Sequence, residues 1–125
     1  MIRKFYLAGG MHSNWRAEAS CISAHAFIDP RALNAGIDDP AVYTERDLAA
    51  IRECDGVLAF MSPDNPSGYG LSVEVGYAAG LGKPIAWIDT LGEDWRSRYF
   101  GMHRHIGHRC PDFFSAVVWL TRQPA

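Results

Sequence analysis

The sequence predicts a single-domain α/β fold, flavodoxin-like or Rossmann-like, with a parallel sheet of about five strands flanked by helices. Three observations predict it. Short apolar runs alternate with helix-like segments along most of the chain, the pattern of strand-helix-strand units. Gly56-Val57-Leu58-Ala59-Phe60-Met61 is apolar without interruption, as a central parallel strand covered on both faces requires. The 125 residues suit one hydrophobic core, and no repeat, low-complexity tract or linker divides residues 1–125.

The elements follow in order. Phe5-Tyr6-Leu7-Ala8 reads as the first strand, stopped by Gly9-Gly10. A helix follows over about 14–23, then a weaker strand over 24–28 closed by Asp29-Pro30. The stretch 30–42, with its Asn, Gly, Asp-Asp and Pro, reads as a loop. Residues 44–53 carry helix chemistry, with Thr44 as a cap, Asp47 three residues on, and Leu48 and Ile51 facing inward. After the central strand, 62–68 is irregular, 71–81 is a helix rich in Ala and Gly, Gly82 stops it and Pro84 opens a strand over 85–88. From Thr90 to Cys110 no period emerges. A last helix over about 111–120 has Pro111 in its first turn and Phe113, Phe114, Val117 and Leu120 on one side.

Composition narrows the function classes. A formal net charge of -2 gives no global attraction to a nucleic-acid polymer or an anionic membrane. No apolar stretch approaches the roughly 20 residues that span a bilayer. Cys21, Cys54 and Cys110 are odd in number and widely spaced, which fits reduced thiols better than a disulfide framework. Met1-Ile2-Arg3-Lys4 runs into only a few apolar residues before Gly9-Gly10, unlike a signal peptide, so the expectation is a cytoplasmic protein. His103, His105, His108 and Cys110 lack a recognised zinc spacing, and their usual fate is a solvated loop, or with Arg104 and Arg109 a local cationic patch. The first strand is not followed by Gly-x-Gly-x-x-Gly, which argues against a dinucleotide site. Neither a metal nor a cofactor is expected.

In open parallel sheets the ligand crevice lies beyond the carboxyl ends of the strands. That rim collects Tyr6 and Gly9-Gly10 after the first strand, Asp29 after the second, and Asp64 and Asn65 after the third. Asp89 ends the fourth, and Asp47 and Glu74 lie in first helical turns beside them. Paired carboxylates are the usual equipment for glycosidic bond cleavage, a carboxylate nucleophile can trap the sugar covalently, and glycine turns let the backbone approach a ligand. Each residue also has a plainer reading. Glu74 complements a helix N-terminus, Thr44 and Asp47 form a capping pair, Tyr6 packs in a strand, and Asp29 and Asp89 are solvated strand ends. Trp15, which follows the glycine turn, is the one tryptophan placed to stack on a base.

Three segments carry a family resemblance: Phe5-Tyr6-Leu7-Ala8-Gly9-Gly10-Met11, then Tyr43 to Ile51 with Cys54-Asp55, then Gly70-Leu71-Ser72-Val73-Glu74-Val75-Gly76-Tyr77-Ala78 followed by Gly82-Lys83-Pro84. On these the chain resembles the nucleoside 2-deoxyribosyltransferase superfamily, which includes the nucleoside 5'-monophosphate N-glycosidases. The resemblance implies that Glu74 attacks the anomeric carbon, that Asp47 contacts the substrate and manages the leaving-group proton, and that Tyr6 orients Glu74. It places Gly9, Gly10, Trp15, Asn65, Ser67, Gly68 and Gly70 around a nucleoside or nucleotide, and it implies a homo-oligomer, a dimer or larger. Ser13, Ser67 and Ser72 are candidates for a phosphate. Two positions depart from the transferases: Gly68 stands where an Asp precedes the nucleophile by six residues, and no Asn follows Asn65. These departures leave a rival expectation, a nucleotide-binding or sensing module of the same fold without turnover.

Overall fold

The computed structural model describes residues 2–124; Met1 and Ala125, which the domain reading included, lie outside them. Five strands form one all-parallel sheet: β1 (Lys4–Gly9), β2 (Ala26–Ile28), β3 (Gly56–Met61), β4 (Ile85–Asp89) and β5 (His108–Arg109). Their order is β2-β1-β3-β4-β5. Tyr6 stands opposite Ile28 on one side and Val57 on the other, and Phe60 pairs with Ile88. The direction of strand addition reverses between β1 and β3, so the loops after these strands diverge to opposite faces. A crevice opens at their carboxyl ends for that reason.

Strand parity assigns the core side chains of the sheet. Tyr6, Ala8, Val57, Ala59, Met61, Ile85 and Trp87 point to the face covered by α3 (Pro40–Glu53) and α4 (Tyr69–Gly80). Phe5, Leu7, Leu58, Phe60, Ala86 and Ile88 point to the face covered by α1 (Trp15–Ser20) and α6 (Phe113–Thr121). Alternate residues of a strand face opposite sides, and both sides are dry here, which is why the strands read as unbroken apolar runs. Tyr6 therefore faces α4 by register alone.

The structure corrects several expected boundaries. The stretch 30–42 holds α2 (Pro30–Leu33) and the first turn of α3. Each starts on an Asp-Pro pair: Asp29 accepts from the Arg31 N–H and Asp39 from the Ala41 N–H, both at 2.9 Å. Proline at the first helical position gives up no hydrogen bond and pre-sets φ, so residues that looked like breakers are starters. Thr44 and Asp47 consequently sit inside α3, and the capping pair does not exist. Leu48 is half-buried rather than inward, and only Ile51 of that pair is buried. α4 begins two residues earlier than its pattern indicated, so Glu74 lies in the second turn, beyond the reach of an N-terminal role. α1 is shorter than 14–23, and β2 begins only at Ala26.

The unreadable segment after Thr90 folds as a 3-10 helix (Trp95–Phe100), α5 (Gly101–Ile106) and the two-residue β5. Pro111 precedes α6, whose cap is Asp112, accepting from the Ser115 N–H at 2.7 Å. Phe114 is 65% exposed and belongs to no core. Lys83, in the Gly-Lys-Pro segment, donates to the Arg52 and Cys54 carbonyls at 2.9 and 2.7 Å and so closes the end of α3. The three cysteines are unpaired, and among the described residues no helix is long and apolar enough to cross a membrane. Leu120 is fully buried in the α6 face of the core. Leu120→Ala is expected to lower stability by about 2–5 kcal/mol, the range for emptying a buried leucine site, measured by urea unfolding.

Candidate active site

The crevice at the β1/β3 reversal is a cleft of about 690 Å³, within the range of small-molecule sites. Gly9 and Gly10 form one wall, Asn65 to Ser67 another, and Asp47 and Glu74 face it from α3 and α4. The wall after β1 is held by Arg16, a residue the sequence did not single out. Its side chain is 1% exposed. Its guanidinium donates to the carbonyls of Leu7, Gly10 and Gly9 at 3.3, 2.7 and 2.9 Å and lies 3.5 Å from Asp29. A buried cation is tolerated only when it is paired and its donors are used, and here those donors fix the glycine turn. A side chain at Gly9 would stand 2.6 Å from the Phe60 carbonyl and 2.7 Å from the Trp15 ring, so the turn admits no larger residue.

The opposite wall is tied down from the far end of the chain. Arg96 donates to the Pro63 carbonyl at 2.7 Å and the Pro66 carbonyl at 3.1 Å, and also to that of Asn65. Asn65 is buried, and its Oδ1 accepts from the Gly68 N–H at 3.1 Å. Gly68 has φ +77°, and a Cβ there would lie 2.7 Å from Phe100. The position where the transferases carry an aspartate is thus closed by an aromatic side chain from the segment whose period was unreadable. Ser72 donates to the Gly68 carbonyl at 2.9 Å, and its Oγ lies 2.7 Å from His103 Nε2.

The rim carboxylates separate into two groups. Asp29 caps α2 and pairs with Arg31 at 3.1 Å; Asp89 accepts from Trp87 Nε1 at 2.7 Å and pairs with Arg104 at 2.9 Å. Both are held below the usual carboxylate range: burial raises each, but hydrogen bonds, to Arg31 for Asp29 and to Arg104 and Trp87 for Asp89, outweigh it. They are structural ion pairs, not solvated ends as expected. Asp64 is exposed and accepts from Ser62 at 2.5 Å. Asp47 and Glu74 alone of these carboxylates line the cleft without a cationic partner in salt-bridge range.

Glu74 accepts a hydrogen bond from the Tyr6 hydroxyl, and Tyr6 has no exposed surface. Burial pushes the Glu74 carboxyl up to about 7, with the Asp47 charge adding to the rise and the Tyr6 hydrogen bond and Arg16 opposing it. Tyr6 itself is driven far above the ordinary phenol range, first by burial and then by Glu74, so it stays a donor. Asp47 is raised by burial, against the lowering influence of the Asn34 hydrogen bond and of the nearby Tyr6 hydroxyl. Two carboxyls that resist ionisation and face one cleft are the pattern of an acid and a nucleophile with separated roles.

Among the residues expected at the site, Gly9, Gly10, Asn65, Ser67, Gly70, Asp47 and Glu74 line this cleft. Gly68 is buried behind its wall and Tyr6 beneath it. Trp15 does not reach it. Its ring stacks on Phe113 at 5.9 Å and packs on Phe60 at 5.2 Å, its Nε1 donates to the Gly10 carbonyl at 3.0 Å, and it borders a separate groove on the α1 face. The parity of β3 explains the placement, because Phe60 points away from Glu74. Ser13 borders that same groove. The histidines are dispersed: His103 meets Ser72, and His108 stacks on Trp119 at 4.5 Å. Among the described residues no group of three His, Cys, Asp or Glu side chains gathers to hold a metal.

Two outcomes follow from this geometry. Glu74 is protonated in the fold at pH values where the unfolded chain has already ionised it. Its contribution to stability is therefore complete below pH 4.5 and lost as pH rises to about 7. Glu74→Gln is expected to match the wild type at about pH 4 and to exceed it at about pH 8 by up to about 3 kcal/mol, measured by chemical unfolding at both values. Gly68→Asp is expected to cost about 2–4 kcal/mol from left-handed backbone strain and the Phe100 collision, measured by thermal unfolding.

Comparison with known proteins adds the ancestry. Residues 5–106 match the family model described as nucleoside 2-deoxyribosyltransferase. No curated protein sequence matches the chain closely enough to count as a relative. Among solved structures, the 2-deoxyribosyltransferase of Bacillus psychrosaccharolyticus is similar at a TM-score of 0.67 and 21% identity, over 88% of this chain and 87% of that one. The 2-deoxyribosyltransferase of Leishmania mexicana is similar at 0.59 and 22%, over 70% of this chain and 65% of its own. The CMP N-glycosidase of Clostridium botulinum is similar at 0.57 and 19%, over 96% of each chain. At these identities the structures attest the shared fold. The family match spans most of the chain and includes Tyr6, Asp47 and Glu74, and the protein belongs to the nucleoside 2-deoxyribosyltransferase family.

Proposed function

We propose that the protein cleaves the N-glycosidic bond of a (deoxy)nucleoside or nucleoside 5'-monophosphate through a covalent glycosyl-Glu74 intermediate. The observation that carries this reading is the Glu74 carboxyl, half-buried, raised to about 7 and held by Tyr6 at the edge of a cleft it shares with Asp47. Glu74 attacks C1' and forms the ester as the C1'–N bond breaks. The bond's electron pair leaves with the base, and Asp47 supplies the proton that neutralises it. Water or a second base then attacks C1' and releases Glu74. Hydrolase and transferase differ only in that acceptor. Tyr6 holds one carboxylate oxygen, leaving the other free to attack.

A binding or sensing role without turnover is the second reading, and the closed position at Gly68 favours it. The assay of first choice separates the two: free base release from a panel of nucleosides and 5'-monophosphates, with and without an acceptor base, for wild type and Glu74→Ala. Release that falls by a factor of at least about a thousand in the variant supports the glycosidic reading; nucleotide binding without release on any substrate supports the sensor.

The productive state holds one proton on the Glu74/Asp47 pair. Two coupled carboxyls titrate as a unit, so kcat/KM is expected to be bell-shaped with its alkaline limb near pH 7, where the pair loses its last proton. In Asp47→Asn the alkaline limb should vanish and the residual rate should rise with pH as Glu74 ionises. We also propose a homo-oligomer. Support for it comes from the cleft rim, where Tyr69 and Val73 are 79% and 60% exposed and would be covered by a second copy.

A further inference from the structure

Asp47 is not free to turn in the cleft. Asn34, the residue that ends α2, donates from Nδ2 to Asp47 Oδ1 at 2.6 Å. The other end of the same amide is also occupied: Arg46 Nε donates to Asn34 Oδ1 at 3.2 Å, and Arg46 Nη2 donates to the Leu33 carbonyl at 2.8 Å. An arginine can only donate and an ionised carboxylate can only accept, so the amide has one permitted orientation, oxygen to Arg46 and nitrogen to Asp47. Its backbone is fixed as well, since the Asn34 N–H donates to the Pro30 carbonyl at 3.0 Å and the Asn34 carbonyl accepts from Ile37 at 2.9 Å. Asn34 itself lines the cleft.

We propose that Asn34 is the positioning residue for Asp47, reserving Oδ1 for its own amide so that Oδ2 is the oxygen that carries the leaving-group proton. The inference rests on the glycosidic reading of the site. In the cleavage step the C1'–O bond to Glu74 forms and the C1'–N bond breaks. The electron pair goes to the base nitrogen system, and the Oδ2 proton moves to the base. Asp47 becomes a carboxylate, and the Asn34 N–H stabilises the charge left on it. The groups that face Asp47 from the surrounding elements are Tyr6 on β1, Arg16 on α1, Asn34 on α2, Arg46 on α3 and Glu74 on α4. Asn34 is the neutral donor among them whose removal changes neither the charge of the site nor a residue of the core.

The effect of a donor is separable from that of shape. Asn34→Leu keeps the side-chain outline and the charge of the site but offers Asp47 no donor; Asn34→Ala removes the outline as well. Two measurements test the proposal. Carbon-detected NMR titration of the Asp47 carboxyl should show its pKa higher in both variants than in the wild type, a result that needs no turnover. Base release on the best substrate of the panel should fall by about ten- to a hundredfold in either variant. In an Asp47→Asn background the Asn34→Ala change should add nothing. An unchanged Asp47 titration in folded variants, or an equal loss from Asn34→Ala with and without Asp47, overturns the positioning role. Loss of activity in Glu74→Ala with full activity in both Asn34 variants overturns this inference alone. Undiminished activity in Glu74→Ala overturns the glycosidic reading and this inference with it.

Discussion

The hydrogen bond from Tyr6 to Glu74 joins the first strand to the helix that follows the third, across the point where the sheet reverses direction. The raised pKa of Glu74 depends on the burial around that contact, complete at Tyr6 and partial at Glu74. Water at this place would return Glu74 to an ordinary carboxylate pKa and leave Tyr6 a surface phenol. The fold shields its inner side by strand parity: Tyr6, Val57 and Ala59 turn toward α4, and Val75 and Leu71 on α4 turn toward them. A carboxylate so placed is costly to ionise and correspondingly reactive once ionised. The same burial that weakens the fold above neutral pH is what we propose prepares Glu74 to attack.

Around that contact, charge is managed by separation. Arg16, Arg31 and Arg104 neutralise the carboxylates that serve structure, while Asp47 and Glu74 are left to one another. Arg16 has a second task, since its donors bind the carbonyls of Leu7, Gly9 and Gly10 and so fix the glycine turn. The turn can then present backbone to the cleft with no side chain in the way. Arg96 performs the equivalent service for the loop after β3. Both walls are therefore held by arginines on backbone oxygens, a fixed-fork geometry that lysine could not reproduce.

Much of this was legible in the sequence because it is local. The apolar run at 56–61 named the central strand, and the strand ends named the rim on which Tyr6, Asp47 and Glu74 meet. What stayed hidden depends on pairing across the chain. Asp29-Pro30 and Asp39-Pro40 read as breakers until the capped N–H groups are seen. Arg16 looks like any helix-surface arginine, since its burial is decided by carbonyls on another element. Asp89 and Asp47 are indistinguishable by spacing, and only the arrival of Arg104 from fifteen residues away makes one a structural anion. Trp15 follows the glycine turn by a few residues, yet the direction in which α1 leaves β1 carries it to the opposite face. Phe100 belongs to a stretch with no period, and its contact with Gly68 has no signature in either segment.

The central claim is that Glu74 becomes covalently attached to the sugar. The most direct measurement is the mass of the Glu74 peptide after the enzyme has been incubated with a 2'-fluoro-arabinosyl nucleoside, whose fluorine disfavours an oxocarbenium-like transition state and slows release of the ester. The account predicts one fluorinated sugar added to that peptide, and none in Glu74→Gln. Base release with no adduct, yielding sugar of inverted configuration at C1', would mean that water attacks directly and would contradict it.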